Sequence, residues 1–196
     1  MSKSATITRP ASYGRMATRS LVACALLAAV SVVLARLIVP MPSITTRFSI
    51  EAVPIILAGL LFGPVAGCLV GFVADTVGCL FSGFGWNFVF SVPPMLIGLC
   101  AGLLRPLLCK KVTYLRILLT YLPAVVFGSI LWQSYWLSAI YGSNTFMAFV
   151  GTRSIQYAIT MPLNVAIVYL LFKSKVFSST GFWPPVNYAP KKSMPQ

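Results

Sequence analysis

Two acids, Glu51 and Asp75, and no histidine are all that 196 residues offer for proton transfer or metal ligation. General acid–base catalysis, histidine-built zinc sites and serine triads each need more of these groups than the chain has. Intramembrane proteolysis fails on the same count, because serine types need a histidine, aspartyl types a second aspartate and metal types ligands that are absent. The five cysteines, Cys24, Cys68, Cys79, Cys100 and Cys109, lie in or at the ends of apolar runs without metal or redox spacing. They read as small packing residues. No G-x-x-x-x-G-K-[ST] sequence occurs, so ATP is not hydrolysed here by that route. The chain is expected to be no enzyme, with no catalytic residue, metal or cofactor of its own.

What remains for chemistry is recognition by cations, aromatic faces and amides. Arg36, Arg47 and Arg153 fall on one side of the topology derived below, and three cations at one mouth suit an anionic ligand. For any one of them, snorkelling to lipid phosphate is the competing reading. Glu51, four residues after Arg47, is a local partner if that stretch is helical. Aromatic residues crowd the same side: Phe81, Phe84, Trp86, Phe88 and Phe90 near one loop, Trp132, Tyr135, Trp136 and Tyr141 near another. The interfacial belt accounts for an arbitrary pair. Trp132, Tyr135 and Trp136, however, share one helical face beside Gln133 and Ser134, a surface suited to a flat, conjugated anion. Arg153, Gln156, Thr160 and Asn164 form a further stripe near a single face. Asn164 falls near mid-span, where an amide facing lipid is costly, and is expected to face the bundle in a structural role. Asp75, the one intramembrane acid, is expected to pair with an arginine or a helix N-terminus.

The elements that position these residues must be membrane helices. The sequence is 58% apolar and 9% charged with mean hydropathy +0.89, whereas a soluble domain is about a quarter charged. Apolar stretches run over about 20–39, 52–81, 88–104, 117–140 and 155–172. The second would make a helix of roughly 45 Å, too long for a hydrocarbon core of about 30 Å. Gly63 and Pro64 divide it, since glycine suits a tight turn and proline the first turn of a new helix. Helices over about 50–62 and 64–82 are expected.

Six spans place twelve of the 15 Lys and Arg on one side: Lys3, Arg9, Arg15, Arg19; Arg105, Lys110, Lys111, Arg116; Lys173, Lys175, Lys191, Lys192. Five spans separate the charges less well. Cations accumulate in cytoplasmic segments, so the fold class is an all-α membrane protein, a single bundle of six transmembrane helices with N- and C-termini cytoplasmic. Residues 1–16 and 176–196 are expected to be cytoplasmic tails flanking a membrane domain over 17–175. The net charge of +13 requires only anionic lipid at the inner surface and no nucleic acid. An impermeant thiol reagent outside intact cells should accordingly label cysteines introduced at Ser43 or Ser143, in a background without native cysteines, and spare one at Ser178. Labelling at Ser178 rejects six spans.

Small residues recur every four positions at Gly59, Gly63, Gly67 and Gly71, at Gly98 and Gly102, and at Ala25 and Ala29. Such faces let helices approach closely. The stretch from Leu61 to Gly78, LFGPVAGCLVGFVADTVG, resembles the LFGP-x-x-G-x-x-x-G-x-x-A-D-x-x-G motif of substrate-binding (S) components of energy-coupling factor (ECF) vitamin transporters. Trp136-Leu137-Ser138 with Tyr141-Gly142, followed by Arg153, is similar to the folate group of that family. The resemblance spans about residues 20–172. It implies six helices in a bacterial cell membrane and capture of folate from outside. Uptake is then driven by one transmembrane coupling subunit and two cytoplasmic ATPases. It also implies folate contacts at Arg47, Trp86, Tyr135, Trp136, Tyr141, Arg153 and Gln156, with Arg36, Asp75 and Asn164 as ligand or structural residues, and docking of the coupling subunit on Ala25 and Ala29. The loop Phe81–Asn87 departs from the proline-containing loop of folate binders. An S component for riboflavin, thiamine or pantothenate, or a small channel or scaffold, are the competing readings.

Overall fold

The computed structural model describes residues 18–36, 39–40, 47–48, 50–82, 87–110, 112–141 and 146–174. The expected terminal tails, Trp86 and most of the loop around it, and Ser43, Ser143 and Ser178 lie outside these residues. So do the side chains of Arg36, Arg47, Cys109 and Tyr141.

The described chain is helical but for one short strand pair. Helix α1 covers Thr18–Arg36 and is followed by β1 (Val39–Pro40) and β2 (Arg47–Phe48), antiparallel with Val39 opposite Phe48 and Pro40 opposite Arg47. Helices α2 (Ala52–Phe62) and α3 (Pro64–Ser82) come next, then α4 (Phe88–Leu103) and a short α5 (Arg105–Lys110). A continuous run comprises α6 (Tyr114–Ala124), a π-helical segment (Val125–Trp132) and α7 (Gln133–Tyr141); α8 (Phe146–Lys173) completes the bundle. Thr18–Ala35, Pro64–Phe81, Tyr114–Ile140 and Phe146–Lys173 are long and apolar enough to cross a membrane, and Ala52–Phe62 and Phe88–Leu103 are shorter apolar helices. Four membrane-length spans and two shorter apolar helices thus stand in the order that the apolar runs implied.

The expected division of the 52–81 run is present. Gly63 has φ 104°, a backbone that side-chain-bearing residues rarely adopt, and Pro64 opens α3, where its missing N–H costs no helical bond. Arg105 donates from Nη2 to the carbonyl oxygen of Leu61 at 2.7 Å, placing a cation on the carbonyl end of α2. The α2–α3 turn and the α4–α6 connection therefore share one end of the bundle. Helix α2 has 11 residues, about 16 Å, which is short for a crossing. Every residue from Ala52 to Leu61 is buried among α1, α3, α4 and α8, so α2 is apolar all round and is shielded from lipid by protein.

Glycines weld α3 to its neighbours. A Cβ on Gly98 would strike the backbone of Gly67, one on Gly102 that of Pro64, and one on Gly71 that of Pro94; at Gly59 it would meet Gly98. The four-residue spacing thus serves internal packing.

Two expectations are corrected. Arg47 lies in a strand, so the helical spacing that would bring Glu51 to it does not exist there. The span read as 117–140 is not a uniform α-helix but carries eight π-helical residues soon after Pro123, whose missing N–H already leaves a gap in the ladder. The last helix begins at Phe146, ahead of the apolar run from 155 and with Arg153 inside it as expected; Thr152 and Ser154 donate their hydroxyls to the carbonyls of Ala148 and Val150 at 2.7 Å in its first turns.

Candidate functional site

The polar groups that the bundle cannot give to lipid meet at the end remote from Gly63. Arg153, in the second turn of α8, donates from Nη1 to Oε1 of Gln133, the first residue of α7, at 2.5 Å. Further along the same interface Tyr157 faces Ser129, and Asn164 faces Tyr121. These rungs follow an antiparallel register: α8 advances from 153 to 157 to 164 while its partner retreats from 133 to 129 to 121. The last step takes seven residues on α8 and eight on the partner. The π-helical segment, whose wider turns hold more residues per unit length, absorbs the difference. Asn164 is 2% exposed and lies against Tyr121 of the neighbouring helix, inside the bundle as an amide in hydrocarbon must.

A second junction grows out of Pro93. Pro93 lies inside α4 and has no N–H, so the carbonyl of Val89 loses its helical donor. The indole N–H of Trp132 fills that place at 3.0 Å, tying the end of the π-helical segment to the first turn of α4. Asn87 caps the same turn by accepting from the Val89 N–H at 3.1 Å. Trp132 leads on to Trp136, ring centroids 6.1 Å apart, and Trp136 meets Tyr135 edge to face with centroids 5.9 Å apart. The shared aromatic face exists, although Tyr135 turns outward with 61% of its surface exposed.

Several donors at this end are buried and, among the described residues, unclaimed. They are Nε of Arg153, Nε1 of Trp136 and the hydroxyl of Ser134. Such atoms are costly unless something binds them. A guanidinium with a free edge, an indole N–H and a cluster of mutually tilted aromatic rings can hold a planar anion by charge-assisted hydrogen bonds and ring contacts. Gln156 stands one turn beyond Arg153 on α8, its carbonyl accepting from Thr160 at 3.0 Å.

Asp75 meets neither an arginine nor a backbone N–H among the described residues. Its Oδ2 accepts from the hydroxyl of Ser91 at 2.5 Å, across the α3–α4 interface and one turn inside the N-terminus of α4. Sequence spacing could not supply this pairing or the Trp132–Val89 bond. The one legible signal was the donor missing at Pro93. Trp86 and the side chains of Arg36, Arg47 and Tyr141 are outside the described residues. Ala25 and Ala29 lie exposed on α1, opposite the buried Cys24, Ala28 and Ser31.

The chain matches, over residues 15–176, the family described as ECF-type riboflavin transporter, S component. The folate transporter FolT of Leuconostoc mesenteroides is 28% identical over 178 residues, covering 88% of this chain and 95% of that protein. The FolT of Clostridium novyi is 26% identical over 128 residues, covering 65% and 73%. A crystal structure of FolT bound with folic acid superposes with TM-score 0.67 at 30% identity, over 79% of this chain and 91% of that one. The S component for biotin of an ECF-type ABC transporter gives TM-score 0.60 at 20% identity, over 81% and 95%, a likeness of fold alone.

Proposed function

The chain belongs to the S components of ECF-type transporters, and on that premise we propose that it captures folate from outside the cell. It is a multi-pass membrane protein and a transport subunit, not an enzyme. The observation that carries folate over other vitamins is the 30% identity to folic-acid-bound FolT across 91% of that chain. The site chemistry supports it: Arg153 suits a glutamyl carboxylate, and the Trp132–Trp136–Tyr135 cluster suits the pterin and benzoyl rings. Arg47, Trp86, Tyr141 and Gln156 complete the proposed contacts, with Arg36 as a ligand or structural residue. Riboflavin is the second reading, favoured by the description of the matching family. Uptake in this proposal is driven by a transmembrane coupling subunit and two ATPase subunits in the bacterial plasma membrane, since no ATP-binding loop is present in this chain.

Quenching of the four tryptophans in detergent-purified protein tests the ligand. Folate is expected to quench saturably at lower concentration than riboflavin, thiamine or pantothenate. Tighter riboflavin binding replaces the first reading with the second. Arg153→Ala or Arg47→Ala should weaken folate by about 1.5–3 kcal/mol, the worth of a hydrogen bond to a charged group. Trp136→Ala should cost about 1–3 kcal/mol by analogy with base stacking on aromatic side chains. Wild-type affinity in all three variants rejects the site.

A further inference from the structure

Prolines divide the bundle into two kinds of helix. Helix α1 has none, and in α2 and α3 Pro54 and Pro64 fall in the first turn, where an N–H has no helical acceptor. Pro93 and Pro94 lie inside α4, Pro123 inside α6 and Pro162 inside α8, and each removes a bond from its helical ladder. Asn164 faces Tyr121 across antiparallel helices. Two residues back on α8 and two on along α6, Pro162 therefore stands opposite Pro123. The π-helical segment begins two residues later, and at Gly128 it runs against α4, where a Cβ would lie 3.2 Å from Cα of Pro93. The weakened stretches of three neighbouring helices thus adjoin one another.

Packing changes character across that level. On the Gly63 side, α4 is in backbone contact with α3 at Gly98 and Gly102, and Ile117, Val165 and Val168 are fully buried. Tyr114 there donates to the carbonyl of Pro162 at 3.4 Å and sets its ring against Tyr169. On the other side, no residue of α8 over 146–159 is buried; the buried ones are Thr160, Asn164, Val165 and Val168. Arg153 and Gln133 tie this outer half of α8 to α7, and the Trp132 indole ties the foot of α7 to the carbonyl of Val89 on α4 at 3.0 Å. Few buried contacts beyond an interrupted ladder are the marks of a segment that moves at low cost.

We infer that α7 and the outer half of α8 form one arm, which swings on a hinge made of Pro123, the π-helical segment and Pro162, and that the Trp132–Val89 bond is its latch to α4. The Arg153–Gln133 bond makes the two helices of the arm move together. Helices α1–α3 and the inner halves of α4, α6 and α8 stay fixed. Opening parts α7 from α4 and widens the outer end of the bundle, whichever vitamin enters there. The ordinary alternative is a set of static kinks. About 22 Å of helix separates Met147 from Pro162, so a swing of about 20°, the scale of a proline kink, carries that end about 8 Å.

Pulsed electron paramagnetic resonance on the full chain in phospholipid nanodiscs tests this without a ligand. Spin labels are placed on cysteines at Leu80 and Met147, both exposed at the outer end, and as a second pair at Val65 and Leu170, both exposed at the inner end, in a background without native cysteines. The outer distances are expected to spread over about 8 Å and the inner ones to form a single narrow peak. Pro123→Ala combined with Pro162→Ala restores the helical bonds and should contract the outer spread to the inner width. Trp132→Phe releases the latch and should move the outer population to longer distances. An outer pair as narrow as the inner pair in the otherwise unaltered protein overturns the hinge, and decides the matter alone if the alanine variant is not recovered. An outer width that the alanines leave unchanged overturns it too, and unchanged outer distances in Trp132→Phe overturn the latch. Stopped-flow tryptophan quenching by folic acid tests what the arm does. The alanines should slow association and dissociation alike by about threefold or more, the worth of a restored hydrogen bond, with affinity held. Unaltered rates overturn the role in ligand entry. A protein that binds no folic acid removes the folate reading, while the label distances still judge the hinge.

Discussion

Gly98→Ala is expected to destabilise the bundle by about 3 kcal/mol, the upper part of the range for overpacking a tight contact, and to lower the yield of monodisperse protein sharply. The new methyl group would meet the carbonyl of Gly67 and lie 2.9 Å from the N of Cys68. Both are backbone atoms of α3, so relief requires moving a helix and not a side chain. That helix is also held at Gly71 against Pro94 and at Pro64 against Gly102, which leaves it little room to retreat. Without a hydrophobic driving force inside lipid, helix association depends on this close van der Waals packing, and the lost contacts are not replaced. Gly78→Ala on the same helix is the control. A Cβ there has nothing within 4 Å, and alanine should be neutral or gain up to about 1 kcal/mol of helix propensity. Thermal unfolding in detergent measures both. Equal stability of Gly98→Ala and wild type would show that α3 and α4 are not in backbone contact.

Ala25→Trp and Ala29→Trp are each expected to abolish folate uptake by cells while leaving the affinity of the isolated protein within about twofold, less than one discarded hydrogen bond. Both alanines lie on the outward side of α1, one turn apart, with Leu21, Val22, Leu26, Val30 and Val33 also exposed around them. The inward side is separate: Cys24 and Ala28 join the core, and Ser31 donates to the carbonyl of Glu51 at 2.8 Å. Bulk on the outward strip therefore disturbs no internal contact. If the strip meets the coupling subunit, an indole there holds the two helices apart. Copurification of the coupling and ATPase subunits should vanish together with uptake. Persistent uptake assigns the strip to lipid, and joint loss of affinity and uptake assigns it to the folding core.

Those substitutions draw on features that were visible in the chain before any folding. Hydrocarbon demands a minimum length of apolar helix with its backbone bonds satisfied internally, so the five apolar runs were legible as membrane helices, and the distribution of Lys and Arg favoured six spans over five. Gly63 and Pro64 divided a run too long for one crossing because each imposes a local backbone geometry, and α2 and α3 end and begin at that pair. Glycines at four-residue spacing announced close helix contacts by the same logic, since one missing Cβ per turn leaves one smooth face.

Which face met which partner was decided only in three dimensions. Asp75 found Ser91 and Trp132 found Val89 through contacts 16 and 43 residues apart in sequence. Arg153, Tyr157 and Asn164 acquired Gln133, Ser129 and Tyr121 only once α8 had taken a register against the π-helical segment. Arg47 entered a strand opposite Pro40, and the helical stretch that would have offered it Glu51 did not form there. A helix's own sequence sets its length and its apolar face. Its rotation and axial register against a neighbour are set by the sum of many weak packing contacts with residues far along the chain, and no period within the helix encodes that sum.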